Sequence, residues 1–299
     1  MAVTRLPSTV SALQRRAPHH GLRSRLWSSL VHPLVIALLL AFCLGPFVWL
    51  LETSLKTADD LYRIPPKLLS VPADFRNYLT IWQGRPFLQN VINSAVIASA
   101  ATTISLLIGS LCAYALARLR FRGKNMILAM VLAVAMFPGI AIVSPLYLFF
   151  ARLQLINSKL ALIFPYVTFT LPLCVWLLTA FFRELPADLE EAALVDGATP
   201  LQAFRKVIVP LAAPGVFTAA ILIFIFAWNE FLFARTFMNS AESYTVPPAI
   251  SMFEGTGTFE IPWGQITAAS AVVTLPLVAL VLVFQRRIIS GLTAGAIKG

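Results

Sequence analysis

Six stretches of this chain are long, apolar and free of Asp, Glu, Lys and Arg: Val31 to Leu51, Val91 to Ala117, Met126 to Phe150, Leu160 to Phe182, Pro214 to Asn229 and Trp263 to Gln285. About 20 mostly apolar helical residues cross the hydrocarbon core of a bilayer, and a spanning segment must satisfy its own backbone hydrogen bonds. The pattern therefore predicts an all-α, polytopic membrane bundle of six transmembrane helices. The fifth stretch is the shortest and gains adequate length if its helix continues through Glu230 to Ala234. Composition points the same way: 12% of the 299 residues are charged and 59% hydrophobic, whereas a soluble domain carries roughly 25% charged residues. The surplus apolar surface has to face lipid.

Within the second stretch, Ala101, Ser105, Gly109 and Ala113 recur every four residues. Such a ladder of small side chains lets helix backbones approach closely and predicts a helix–helix contact on that face. Pro46, Pro138, Pro145, Pro165, Pro172 and Pro276 lie inside the stretches and are expected to bend their helices. The first stretch reads as an uncleaved helix, because its polar lead-in is long for a signal peptide and no small-x-small site follows. Cys43 sits in Leu40-Ala41-Phe42-Cys43, where Phe42 is too bulky for a lipoprotein box. Cys43, Cys112 and Cys174 all lie in apolar runs and His19, His20 and His32 near the N-terminus, so neither a disulfide framework nor a metal site is expected.

Net charge is +10, but the basic residues fall between the apolar stretches rather than along one face, which excludes a nucleic-acid partner. With six spans the connecting segments alternate sides. One side, with both termini, collects fifteen basic and five acidic residues, and the other eight of each. The bias of Lys and Arg toward the cytoplasm places both termini inside. The basic turn from Arg118 to Lys124 anchors that orientation against anionic lipid.

Residues 183–213, between the fourth and fifth stretches, are the one polar segment with helix signals. Pro186 suits a first helical position, with Asp188, Glu190 and Glu191 near the positive end of the dipole. Gly197 stands where a left-handed cap belongs, Thr199-Pro200-Leu201-Gln202 forms a capping box, and Pro210 is expected to halt a second helix. These residues alone leave two uses open. One is a well-capped connector; the other is a projection whose Ala192 and Ala193, beside acids, fit a groove in a partner.

Glu191-Ala192-Ala193, three residues, Gly197, nine residues, then Val207-Ile208-Val209-Pro210 resembles the EAA loop of ABC importer permeases, with Val207 and Val209 where that pattern prefers Ile and Leu. Asn93-Ser94, Trp228-Asn229-Glu230-Phe231 and the tail Gly291 to Gly299 resemble the second permease subunit of maltose- and trehalose-type sugar importers. The resemblance covers residue 31 to the end, and its 164–230 region is most similar to actinobacterial trehalose importers. It implies the ABC type I importer permease architecture: a permease domain 31–285 with the coupling loop 183–213, and a cytoplasmic C-terminal tail 286–299 reaching the ATPases; the cytoplasmic N-terminal tail 1–30, mixed in Arg, Ser, Pro and His, lies outside the resemblance. Glu191, Ala192, Ala193, Asp196, Gly197 and Pro210 would be the ATPase-coupling residues, with Glu191 and Asp196 in polar contacts. The implied partners are a second, different permease, two ATPase subunits that bind ATP and Mg, and an extracytoplasmic, lipid-anchored sugar-binding protein, all at a bacterial plasma membrane.

The chain itself has no phosphate-binding loop: in front of Gly123-Lys124, Arg118 stands where the first glycine should be. It is expected to be a transport subunit without a cofactor of its own and not an enzyme, since it shows no nucleophile with its base and no paired carboxylates. An ion-coupled secondary transporter is the rival, and such carriers keep carboxylates or cations within their spans, where this chain has none. An ABC permease for another solute, such as glycerol-phosphate, is a second alternative. Uncharged spans favour a neutral sugar, held by hydroxyl and amide partners and aromatic faces. Asn93, Tyr114, Trp228 and Asn229 are candidates for the substrate path, each with helix packing or interface anchoring as a competing role.

Overall fold

The computed structural model describes residues 22–65, 67–69, 71–254 and 261–294, and the side chains of those from 31 to 285. The expected tail 1–30 lies outside the described residues up to position 21, and the expected tail 286–299 lies outside them from position 295. Every described regular element is a helix.

The described residues up to Leu50 and those from Leu51 onward form two compact units. In the first, α1 (Leu22–Ser54) carries apolar side chains that are exposed all along Val31 to Trp49, as lipid-facing residues would be. It runs unbroken through Pro33 and Pro46.

The second unit begins with two short helices, α2 (Ala58–Leu61) and α3 (Arg76–Thr80), which precede the long α4 (Phe87–Arg118). Next come α5 (Lys124–Ala135) and α6 (Gly139–Arg152), which meet at 82° across Met136 to Pro138. Pro138 is extended, with φ −65° and ψ 118°, and it breaks the third span as expected. The other in-span prolines do not interrupt their helices: α6 continues through Pro145, α7 (Lys159–Glu184) through Pro165 and Pro172, and the last helix through Pro276. A membrane tolerates such prolines because neighbouring side chains can satisfy the freed backbone groups.

The small-residue ladder of α4 is buried, and α4 packs against α7. Ser105 and Thr170 hydroxyls meet at 2.8 Å, and the Cys174 thiol donates to Ser105 O at 3.3 Å. A Cβ on Gly109 would stand 2.6 Å from Cys174 Sγ, so the approach requires glycine.

After α7 come α8 (Asp188–Val195) and α9 (Pro200–Ala203), a π-helical turn (Phe204–Ile208) and α10 (Val209–Leu211). The fifth span, α11 (Ala213–Asn229), leaves this segment at 79°. Pro210 does not halt the helix as expected. It lacks the N–H for an i−4 bond and its ring crowds that carbonyl; the preceding turn widens to π spacing, with the Val209 N–H bonded to Phe204 O, and the break comes at Ala212.

The fifth span also stops short of the expected Ala234. Glu230 is extended (φ −67°, ψ 127°) and its carboxylate accepts from the Phe233 and Ala234 N–H groups at 2.9 and 3.1 Å, starting α12 (Leu232–Phe237). Tyr166 donates to the same carboxylate at 2.7 Å. A carboxylate that satisfies the free amides of a new helix ends the old one. Then follow α13 (Val246–Ser251) and α14 (Trp263–Ala294). The backbone of residues 286–294 continues α14. Among the described residues four helices are long and apolar enough to span a membrane, and each bent pair can supply one more, up to six.

Candidate functional site

The 183–213 segment folds into a compact foot because its ends are capped locally. Gly197 has φ +88°. Its N–H bonds to Leu194 O at 3.1 Å and the Ala198 N–H to Ala193 O at 3.0 Å, the paired bonds of a Schellman motif that close the carbonyl end of α8. Thr199 then opens α9: the Gln202 N–H donates to Thr199 Oγ1 at 3.3 Å and the Thr199 N–H to Gln202 Oε1 at 2.8 Å. The expected capping box is present.

The foot turns one face to the helices and one away. Phe204, Ile208 and Ala212 are buried in a cluster with Ala113, Cys174 and Phe182. Facing away, Glu191, Ala192, Asp196 and Gly197 are exposed and Ala193 is half-buried. Val195 is 87% and Leu201 65% exposed. Pro210 is exposed on the second limb.

Sequence reading missed the groups that fasten the foot. Tyr114 donates its hydroxyl to Glu190 Oε1, and Arg118 Nε stands 3.3 Å from Glu190 Oε2. Arg118 Nη2 also donates to Leu185 O at 2.8 Å. The Tyr114 ring lies 4.8 Å from that of Phe204, which meets Phe182 edge-on. The only sequence signal was the i, i+4 spacing of Tyr114 and Arg118, which puts them on one face of α4.

The four substrate-path candidates differ in burial and partners. Tyr114 is committed to the foot. Trp228 is 3% exposed and stacked on Phe224 inside the largest core cluster. Asn93 is also 3% exposed; its amide nitrogen donates to Glu242 O and Tyr244 O at 2.8 and 3.1 Å. Asn90 and Ser94 hold the same 241–246 segment. Asn93 reaches the edge of a cleft of about 290 Å³ that Gln89, Asn157, Lys159, Glu242 and Ser243 help to line. Asn229 is exposed, its amide nitrogen donating to Ile225 O at 2.8 Å. It continues an exposed stripe of α11 with Leu222 and Phe226. Among the described residues no group of three or more His, Cys, Asp or Glu side chains could hold a metal ion.

Residues 105–293 match the family described as the binding-protein-dependent transport system inner membrane component. The chain is 47% identical over 262 residues to the trehalose transport system permease protein SugB of Mycobacterium tuberculosis, covering 88% of this chain and 95% of that one. It is 42% identical over 266 residues to the trehalose/maltose transport system permease protein MalG of Thermococcus litoralis, with the same coverage. A chain in a solved structure of a bacterial ABC transporter that imports the acidic polysaccharide alginate superposes with a TM-score of 0.73, at 21% identity, over 91% of this chain and all of that one.

Proposed function

We propose, from the premise that this chain belongs to the binding-protein-dependent transport system inner membrane component family, that it imports a neutral sugar, a disaccharide such as trehalose or maltose. It is an ABC importer permease, a transport component and not an enzyme. Permeases of this class are multi-pass inner-membrane proteins that work with a partner permease, ATPase subunits and a substrate-binding protein. ATP and Mg belong to the ATPases. Here the partner permease is a different chain, two ATPase copies bind from the cytoplasm, and the binding protein is lipid-anchored outside.

The observation that carries this reading is the sequence identity to trehalose permeases along nearly the whole chain, on spans without a charged residue. A charged cargo held at mid-membrane would want a countercharge, whereas sugar hydroxyls need amide and aromatic groups. Asn229 and Phe226, on the exposed stripe of α11, supply such groups, so the path runs along that stripe. Asn93 and Trp228 hold the walls behind it. The family match sets the ion-coupled carrier aside. A permease for glycerol-phosphate would want cations along the path.

Uptake of labelled trehalose, maltose and glycerol-phosphate in a strain lacking this chain tests the cargo. Trehalose or maltose uptake is expected to disappear and return on re-expression. Loss of glycerol-phosphate uptake alone would overturn the sugar assignment.

Coupling runs through the foot. ATP-driven closure of the ATPase pair moves Glu191 to Gly197, and the permease pair rocks between inward- and outward-open states. This requires the foot and both termini on the cytoplasmic side, in line with the excess of Lys and Arg there. Val195 is the residue to probe, being so fully exposed. A Val195→Cys chain is expected to react with a membrane-impermeant maleimide only after the cells are opened; labelling of intact cells would reverse the orientation.

A further inference from the structure

We infer that Glu190 latches the foot to α4, so that the two move as one body; this rests on the importer function proposed above. The foot is attached to the membrane helices through two breaks in the helical backbone. At one end Leu185 is extended, with φ −71° and ψ 137°. At the other, the chain turns 79° at Ala212. Breaks at the ends of elements are where hinges absorb motion. A foot held only by its backbone would swing on them, and a push from the ATPase would be lost before reaching the spans.

Side chains close the joint. Glu190 and Glu191 are consecutive on α8 and so point about 100° apart. Glu191 faces away from the helices and is exposed, whereas the Glu190 side chain is only 15% exposed and that of Arg118 12%. Glu190 takes the Tyr114 hydroxyl on one oxygen and the Arg118 guanidinium on the other. The bond from the Tyr114 hydroxyl to the carboxylate is charge-assisted and so about twice as strong as a neutral hydrogen bond; Arg118 Nε adds an ion pair without a hydrogen bond, and shielding from water strengthens both. Arg118 also grips Leu185 O, at the hinge itself. Tyr114 packs on Phe204 of the second limb. Two residues one turn apart at the end of α4 thus hold both limbs of the foot, and α4 passes the load to α7 through the close-packed Gly109 crossing. Glu190 is a positioning residue: it touches neither sugar nor nucleotide.

The test uses the whole complex in proteoliposomes, with this chain, its partner permease, the ATPases and the binding protein, supplied with ATP and trehalose. The quantity read is sugar imported per ATP hydrolysed, a ratio that loss of protein does not change. Glu190→Ala is expected to lower this ratio about tenfold, the size of a typical coupling between sites. Tyr114→Phe lowers it by less, and adding it to Glu190→Ala changes nothing further, because the hydroxyl has already lost its acceptor. Should Glu190→Ala fail to assemble, Tyr114→Phe, which removes a single oxygen, decides the matter. A wild-type ratio in an assembled variant overturns the latch, as does a parallel fall of hydrolysis and uptake that leaves the ratio unchanged. A wild-type complex that hydrolyses ATP yet imports no sugar instead strikes the proposed function, before any variant is compared.

Discussion

Replacing Gly197 with valine is expected to cut uptake by about tenfold in an importer that still assembles, since 1–2 kcal/mol in a two-state equilibrium is a factor of roughly 5–30. No side chain stands within 4 Å of where the new Cβ would be, so the effect does not arise from a clash. It arises in the backbone. At φ +88° an L-residue brings its Cβ against the carbonyl oxygen, at a cost of about 1–2 kcal/mol, and a β-branched residue is worse placed still. The chain relieves that strain by leaving the left-handed region, which breaks the bonds from Gly197 N to Leu194 O and from Ala198 N to Ala193 O. The end of α8 unwinds, and Glu191 and Asp196 lose their fixed relation to the Thr199 cap. Gly197→Asn is the control, since asparagine tolerates the left-handed region and should retain most uptake. Sugar uptake in cells with equal membrane levels of each chain is the measurement. Unimpaired uptake by Gly197→Val would show that the foot does not carry the coupling.

Gly109→Leu is expected to prevent stable folding rather than to uncouple. Its first added atom would already stand 2.6 Å from Cys174 Sγ and 3.1 Å from Cys174 Cβ, and three more carbons follow. Overpacking a tight interior costs about 1–3 kcal/mol and sometimes more. Relief comes from turning the Cys174 side chain, which would cost the thiol bond to Ser105 O, or from parting α4 from α7, which would also cost the Ser105–Thr170 hydrogen bond. Little of the chain should reach the membrane, and what does should melt earlier in detergent. A pair of smaller changes locates the cause. Gly109→Ala should destabilise moderately, and Cys174→Ala should restore stability on that background, because it removes the sulfur the new methyl meets. If the double variant is no more stable than Gly109→Ala alone, the crossing is not the source of the strain.

Much of this fold could be read from local chemistry. The spans were visible because lipid excludes charge residue by residue, and α4 and α7 begin and end within four positions of their apolar runs. The caps of the foot were visible for a similar reason: a capping box joins Thr199 to Gln202, three residues away, and a left-handed turn calls for glycine wherever it occurs. Two expectations failed where the chain's local preference was overruled. Pro210 did not stop its helix, since a π turn absorbed the missing N–H. The fifth span did not run on through Glu230, because that carboxylate was more useful to the amides of α12 and to Tyr166.

The sequence by itself determined that the chain spans a membrane, that its apolar stretches carry no charged residue, and that a capped helical foot interrupts the apolar pattern. All of these follow from interactions within a few residues or from each residue's preference for lipid or water. Tertiary structure alone decided which of two adjacent glutamates turns inward, that the Tyr114 hydroxyl meets Glu190 of the foot, and that Asn93 and Trp228 are buried. Those outcomes depend on partners 76 residues away for Tyr114 and Glu190 and about 150 for Asn93. Hydrogen bonding and burial at such separations are set by how helices pack, and no periodicity along the chain encodes it.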